Sequence, residues 1–178
     1  MSIVQLEAVP EGTLLQRYVD RGHTDCYTTE VAAAVTQAAF VEAFYTTRIF
    51  KLERLLLAML ASKPSTDVQA VQLAAGTLND FAAWHVEARA PGELLMCDFR
   101  GTTRSWLMTV PVGSGETAGT RLYFGSAVVA VVDAATGKAA PAIGFRMLMG
   151  FHKLYSRVLL HAACSRVRRM QRASVFRN

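Results

Sequence analysis

Residues 81–110 read FAAWHVEARAPGELLMCDFRGTTRSWLMTV and predict three consecutive antiparallel strands. The first nine residues alternate with period two, which is typical of a half-buried strand. Pro91 and Gly92 then supply the residue types that a type II turn requires, and Arg100 with Gly101 marks a second reversal. The stretch therefore predicts a meander whose register is set by its two turns.

The register follows from placing Ala90 opposite Glu93. Five further pairs are then expected: Ala88 with Leu95, Val86 with Cys97, Trp84 with Phe99, Cys97 with Arg104 and Leu95 with Trp106. Because paired residues share a face of the sheet, one face is expected to be apolar apart from a single guanidinium. This face carries Trp84, Val86, Ala88, Leu95, Cys97, Phe99, Arg104, Trp106, Met108 and Val110. The opposite face, which includes Leu94, Met96 and Leu107, is expected to be partly solvated.

The remainder of the chain predicts helices on one face of this sheet. Residues 1–22 are expected to give a short strand or a covering arm, and residues 25–31 a strand. Apolar residues at helical spacing predict helices at 31–45, 49–62, 68–75 and 142–169. Residues 120–132 predict a further strand, in which Leu122 and Phe124 are expected on the face of Trp106. This order of elements indicates an α+β fold.

Composition indicates one globular domain over residues 1–178, since 52% of the residues are hydrophobic and 19% are charged. The longest apolar runs, 55–61 and 127–132, are far shorter than the roughly 20 residues that span a bilayer. Residues 1–10 lack the pattern of a secretory signal, and three widely spaced cysteines do not suggest a disulfide framework. A cytoplasmic protein is expected.

The charge is unevenly distributed along the chain. The net charge is +5, yet all 14 acidic residues lie at or before Asp133, and five arginines fall in residues 166–178. This basic tail is expected either to make weak contact with an anionic surface or to be a solubilising helix end favoured by the helix dipole. No recognisable nucleic-acid module accompanies it, so no specific nucleic-acid partner is predicted.

The order of elements resembles the helix-grip fold of the START and Bet v 1-like (SRPBCC) superfamily. The strand at 25–31, the helices before Pro64, the strands from 81 to 132 and the helix from 142 carry this resemblance. Residues 97–106, CDFRGTTRSW, also resemble an uncharacterised bacterial family of that superfamily. The resemblance implies a curved antiparallel sheet wrapped around a long C-terminal helix, with an apolar cavity between them.

Arg104 is the first candidate for a binding residue, because a guanidinium on an apolar face requires an anion or hydrogen-bond acceptors. It either binds a ligand carboxylate or phosphate, or pairs with an internal Asp or Glu at the sheet rim. Trp106 lies two residues further on the same face and could hold a flat ligand. Face assignment together with the resemblance gives eight candidate lining residues: Tyr27, Trp84, Phe99, Arg104, Trp106, Phe124, Phe151 and Tyr155.

No catalytic, metal or cofactor motif is predicted. His85 and Asp98 are expected opposite each other, near Ser105, but flat strands without a nucleophile turn argue against a hydrolase. The four histidines lack metal-ligand spacing, and the glycines of residues 113–119 match no nucleotide-binding pattern.

Three hypotheses on function follow. The leading one is the binding of a small apolar or amphipathic molecule, with or without an anionic group, between the sheet and the C-terminal helix. The alternatives are a protein- or membrane-interaction module that uses the basic helix end, and an enzyme of the same fold in which Arg104 orients a substrate. A homodimer is a further alternative to a ligand, because an exposed apolar patch would also suit a second copy.

Overall fold

The computed structural model describes residues 2–52, 54, 64–129 and 145–175, with the side chains of the last helix described from Tyr155 to Arg172. In chain order, the elements are β1 (Val4–Gln5), a 3-10 helix (Leu14–Tyr18), β2 (Gly22–Val31), α1 (Gln37–Tyr45), α2 (Asp67–Ala75), β3 (Asp80–Phe81), β4 (Trp84–Ala90), β5 (Glu93–Asp98), β6 (Thr103–Val112), a second 3-10 helix (Gly115–Thr117), β7 (Gly119–Val129) and α3 (Phe145–Val175).

The strands form one antiparallel sheet of seven strands in the order β1-β2-β7-β6-β5-β4-β3. The α-helices cover one face, where aromatic side chains of α1 pack against the sheet and α3. The members of this cluster include Phe40, Phe44, Tyr45, Phe81, Leu107, Phe124 and Leu160. The predicted α+β fold with helices on one face is therefore confirmed.

The opposite face is covered by the N-terminal segment. Leu14, Leu15 and Tyr18 of the first 3-10 helix pack with Trp106 and Met108. Residues 1–22 were expected to give a short strand or a covering arm. Both are observed, because β1 pairs with β2 and the 3-10 helix covers the sheet. The sheet consequently has two apolar faces rather than one, which the high hydrophobic content of the chain supports.

The helix boundaries are set by caps. The side chain of Thr36 accepts a hydrogen bond from the Ala39 amide, so α1 begins at Gln37, and the prediction of a helix from residue 31 is wrong. Val31 instead ends β2, opposite Thr120. The predicted helix at 68–75 is confirmed as α2, in which Thr66 and Gln69 form a capping box and Gly76 ends the helix.

The predicted register of the meander is confirmed at both turns. It is wrong for the part of β4 that precedes Glu87. Ala90 faces Glu93 and Ala88 faces Leu95, but a β-bulge then shifts the ladder by one residue. The predicted partners of Val86 and Trp84 are corrected as a result. Val86 pairs with Met96, His85 with Cys97 and Trp84 with Asp98. The pairs Leu95 with Trp106 and Cys97 with Arg104 are confirmed.

The bulge also changes which residues share a face. Trp84 and Val86 lie on the helix-covered face, not beside Trp106 as expected. Leu94, Met96 and Leu107 were expected on a partly solvated face; that expectation is wrong, because all three are buried beneath the helices. Leu122 and Phe124 lie there too, with Phe124 opposite Leu107, which corrects their expected place beside Trp106.

Several predicted segments lie partly outside the described residues. The predicted helix at 49–62 is observed at 48–52 and 54, and the strand predicted to residue 132 is observed to Val129. The C-terminal helix runs from Phe145 to Val175, further than the predicted end at residue 169. Within the described ranges, no helix combines the length and apolar content required to cross a bilayer.

Candidate functional site

Arg104 is paired within the protein. Its Nε donates to Oε2 of Glu87 over 2.9 Å, and Nη1 donates to the Gly101 carbonyl. Its Cζ lies 4.6 Å from the centroid of the Tyr18 ring. The Glu87 and Arg104 side chains are 23% and 14% exposed. Of the two arrangements expected for Arg104, the structure shows the internal pair with a carboxylate.

Tyr18 completes this cluster on the N-terminal side of the sheet. Its hydroxyl donates to Oε1 of Glu87, so the carboxylate accepts hydrogen bonds at both oxygens. Burial, followed by the hydrogen bond to Glu87, raises the pKa of Tyr18 above its ordinary value. The cluster anchors the 3-10 helix to β4 and β6, and its polar groups are satisfied by one another.

Trp106 is fully buried on the same face. Its Nε1 donates to Oε2 of Glu93 over 2.7 Å, and the same oxygen accepts from the Leu14 amide over 2.9 Å. Its ring lies 6.1 Å from that of Tyr123. The indole therefore links β6 to the N-terminal segment.

The other predicted lining residues are divided between the two sides of the sheet. Tyr27, Trp84, Phe124 and Tyr155 belong to the helix-side cluster, away from Arg104 and Trp106. Phe99 lies at the turn after β5 and is 52% exposed. The side chain of Phe151 lies outside the described residues. The structure therefore brings together four of the eight residues on one face and two on the other.

The residues considered for a hydrolase do not meet. Asp98 pairs with Trp84 rather than His85, so their predicted opposition is wrong. The Asp98 carboxylate instead accepts hydrogen bonds from the amides of Thr102 and Thr103, over 2.7 and 2.9 Å. This carboxylate stabilises the turn between β5 and β6.

Three clefts open on the described surface. The first, of about 600 Å³, lies beneath residues 5–11 and has Asp25 and Cys26 of β2 in its lining. The second, of about 320 Å³, lies beside β1. The third, of about 410 Å³, lies between the start of the helix at residue 48 and α3. These clefts differ mainly in charge.

The third cleft, which we call the arginine cleft, is basic. It is lined by Thr47, Arg48, Ile49, Ala162, Ser165, Arg166 and Arg169. The four residues from α3 are spaced at i, i+3, i+4 and i+7, so they form one stripe along the helix. Arg48 reaches the cleft from the opposite wall. Three guanidiniums thus line one cavity whose described lining includes no acidic residue.

Arg166 has an unsatisfied donor in this cleft. Its Nε is buried and has no hydrogen-bond partner among the described residues. Across the same part of the chain, none of the three cleft arginines forms an ion pair. A buried guanidinium N–H without an acceptor is costly. The three guanidiniums of the arginine cleft therefore suit an anionic group.

Sequence reasoning assigned Arg166 and Arg169 only to a basic tail. Their spacing with Ala162 and Ser165 was a usable signal, because it places two cations and a hydroxyl on one helix stripe. Arg48 carried no comparable signal, since it lies more than one hundred residues away in the sequence and meets the stripe only through helix packing.

Models of protein families, curated proteins and solved structures were compared with the chain. None of the three comparisons found a match.

Proposed function

We propose that this protein binds a small amphipathic molecule whose anionic group occupies the arginine cleft. The observation that supports this most strongly is the buried, unpartnered Nε of Arg166 in a cavity shared with Arg48 and Arg169. Guanidinium groups present planar N–H donors that match carboxylate and phosphate oxygens. The ligand is of the class expected from the sequence, but its anionic group binds at the arginine cleft and not at Arg104.

The apolar part of the ligand has a matching wall. Ile49 and Ala162 line the cleft, and Ile49 also packs against the helix-side core. The cleft volume of about 410 Å³ falls in the range of small-molecule sites, which are mainly apolar with a few fixed polar groups. A ligand with both an apolar body and a charged group would contact these two apolar side chains as well as the guanidiniums.

We further propose a helix-grip fold of the SRPBCC type. Seven antiparallel strands in one sheet and a long C-terminal helix support this proposal. In such a fold, the apolar cavity between sheet and α3 would be lined by Tyr27, Trp84, Phe124 and Tyr155, which share the helix-covered face. We propose the cytoplasm as the compartment, because all three cysteines are buried and unbridged.

A second candidate function is the docking of α3 onto an anionic lipid surface. Arg157, His161, Arg168 and Arg172 are exposed and follow one another at spacings of four, seven and four residues. This spacing places them in one narrow arc of the helix. Basic groups near an anionic leaflet each contribute about 1 kcal/mol of attraction, so the arc suits a flat, negatively charged membrane.

Native mass spectrometry of the full chain tests the first candidate. The purified protein is measured with added 8-anilinonaphthalene-1-sulfonate, an amphipathic anion, and again after denaturation. We expect one bound anion that is lost on denaturation, is weakened in Arg166→Gln and is unchanged in Arg100→Gln. Arg100 is an exposed arginine at the β5–β6 turn, so both variants change the net charge equally. Equal binding by all three proteins contradicts the proposal.

Cosedimentation with vesicles tests the second candidate. Arg157→Gln/Arg168→Gln/Arg172→Gln is compared with Arg17→Gln/Arg21→Gln/Arg100→Gln, which removes the same charge from exposed positions elsewhere. We expect only the first triple variant to lose binding to phosphatidylserine vesicles, with binding weakened by salt. Equal loss in both variants would show that net charge alone is responsible.

A further inference from the structure

The charge of the arginine cleft exceeds what a single carboxylate neutralises. Arg48, Arg166 and Arg169 bring three positive charges, and no acidic residue occurs in the described lining. A monoanion would leave two guanidiniums without a counter-charge, whereas a phosphate monoester carries about −1.5 to −2 charges near neutral pH. The charge balance of the cleft therefore favours a dianion.

The donors of the cleft also favour a group with several oxygens. Each guanidinium offers five N–H donors, and Ser165 adds a hydroxyl. The Thr47 hydroxyl is already committed, because it donates to the Phe44 carbonyl over 3.0 Å and accepts from the Phe50 amide over 3.1 Å. The remaining donors approach from two walls, which suits the three peripheral oxygens of a phosphate better than the two coplanar oxygens of a carboxylate.

We infer that the arginine cleft selects a dianionic phosphate-type group, with Arg166, whose Nε is buried, as its anchor. This inference rests on the proposed function, and it adds the chemical class of the anion. Arg166 approaches from α3 together with Arg169, while Arg48 lines the site from the facing helix. The ligand is accordingly a small phosphorylated amphipathic molecule rather than a carboxylic acid.

Isothermal titration of the full chain with inorganic phosphate, sulfate and acetate at constant ionic strength tests the inference. We expect saturable binding of phosphate and sulfate, about tenfold or more tighter than that of acetate, since each added charged hydrogen bond is worth about one factor of ten. Acetate binding as tight as phosphate would overturn the inference and leave the proposed function intact. Binding of none of the three anions would overturn both.

The pH dependence provides a second readout of the dianion. Phosphate gains its second negative charge as pH rises through the range near about 6 to 7, whereas sulfate stays doubly charged. Phosphate affinity should therefore increase from about pH 5.5 to about pH 8 while sulfate affinity stays constant. A phosphate affinity that is flat over this range would show that the cleft does not distinguish the two charge states.

Substitutions of single arginines identify the residues that bind the anion. Arg166→Gln should weaken phosphate binding about tenfold or more, and Arg166→Lys should fall between this variant and the wild type because it keeps the charge and loses the planar fork. Arg100→Gln is the charge-matched control and should bind like the wild type. Arg48→Gln provides a second variant on the other wall should Arg166→Gln unfold, as judged by circular dichroism. Equal affinities in Arg166→Gln, Arg48→Gln and Arg100→Gln would overturn the inference.

Discussion

Glu87 meets Arg104 across a β-bulge that the alternation of the sequence does not reveal. Regular pairing would place the two residues on opposite faces, but Glu87 is the residue left unpaired between Val86 and Ala88. Its Oε2 accepts from Arg104 Nε over 2.9 Å. The bulge thereby supplies a counter-charge to a guanidinium on an apolar face, so Arg104 does not require an external anion.

The Glu87 and Arg104 pair should contribute measurable stability. Arg104→Ala is expected to lower the free energy of unfolding by about 1 to 3 kcal/mol, because the carboxylate loses a charged hydrogen bond in a partly buried site. Urea denaturation of Arg104→Ala, Glu87→Ala and the double variant gives the coupling energy. Strictly additive losses would show that the pair has no net interaction.

Gly125 makes the contact between the sheet and the N-terminal segment possible. A Cβ at this position would overlap Leu15 Cδ2 and would lie 3.0 Å from Trp106 Cε3 and 3.1 Å from the Asp25 carbonyl oxygen. Gly125→Ala should therefore destabilise the protein by about 1 to 3 kcal/mol through overpacking. The loss should be smaller when Gly125→Ala is measured in a Leu15→Ala background, and an undiminished loss would contradict this packing explanation.

The buried cysteines should make stability depend on alkaline pH. Burial raises the pKa of Cys26 and of Cys164 to about 12, so the folded protein retains protons that the unfolded chain releases. The free energy of unfolding should fall as pH rises from about 9, by about 1.4 kcal/mol per pH unit for each thiol. Urea denaturation at several pH values should show a flatter dependence in Cys26→Ala/Cys164→Ala. Identical slopes would contradict the shifted pKa values.

The capping box of α2 gives a local prediction. Thr66 accepts from the Gln69 amide over 3.2 Å, while the Gln69 side chain accepts from the Thr66 amide over 2.8 Å. Thr66→Ala should cost about 0.5 to 2 kcal/mol of stability. Val68→Ala, at a position that is 67% exposed, serves as the control on the same helix and should change stability little. Thermal denaturation compares the two variants.

The sequence was most informative where local chemistry sets the structure. Pro91 with Gly92 indicated the first turn, and the apolar spacing of residues 68–75 indicated α2. The bulge at Glu87 escaped prediction because no glycine marks it, and it depends on Tyr18 and Arg104 in other elements. A one-residue shift was enough to move Trp84 to the other face.

The arginine cleft was beyond sequence reasoning for a related reason. Arg166 and Arg169 lie one turn apart and could be assigned to one helix stripe, but nothing local shows that Arg48 faces them. Because five arginines fall in residues 166–178, these two were assigned to a solvated tail. Only the packing of the helix that begins at residue 48 against α3 brings these charges together around one cleft.

NMR of arginine Nε–Hε groups observes directly whether the buried Nε of Arg166 binds an anion. The Arg166 resonance is assigned from its absence in Arg166→Lys, and inorganic phosphate is then titrated into the full chain at constant ionic strength. We expect a saturable shift for the Nε–Hε resonances of Arg166, Arg48 and Arg169, with little change for Arg104, whose Nε is bonded to Glu87. Small, linear and equal shifts of all arginine resonances would contradict this expectation.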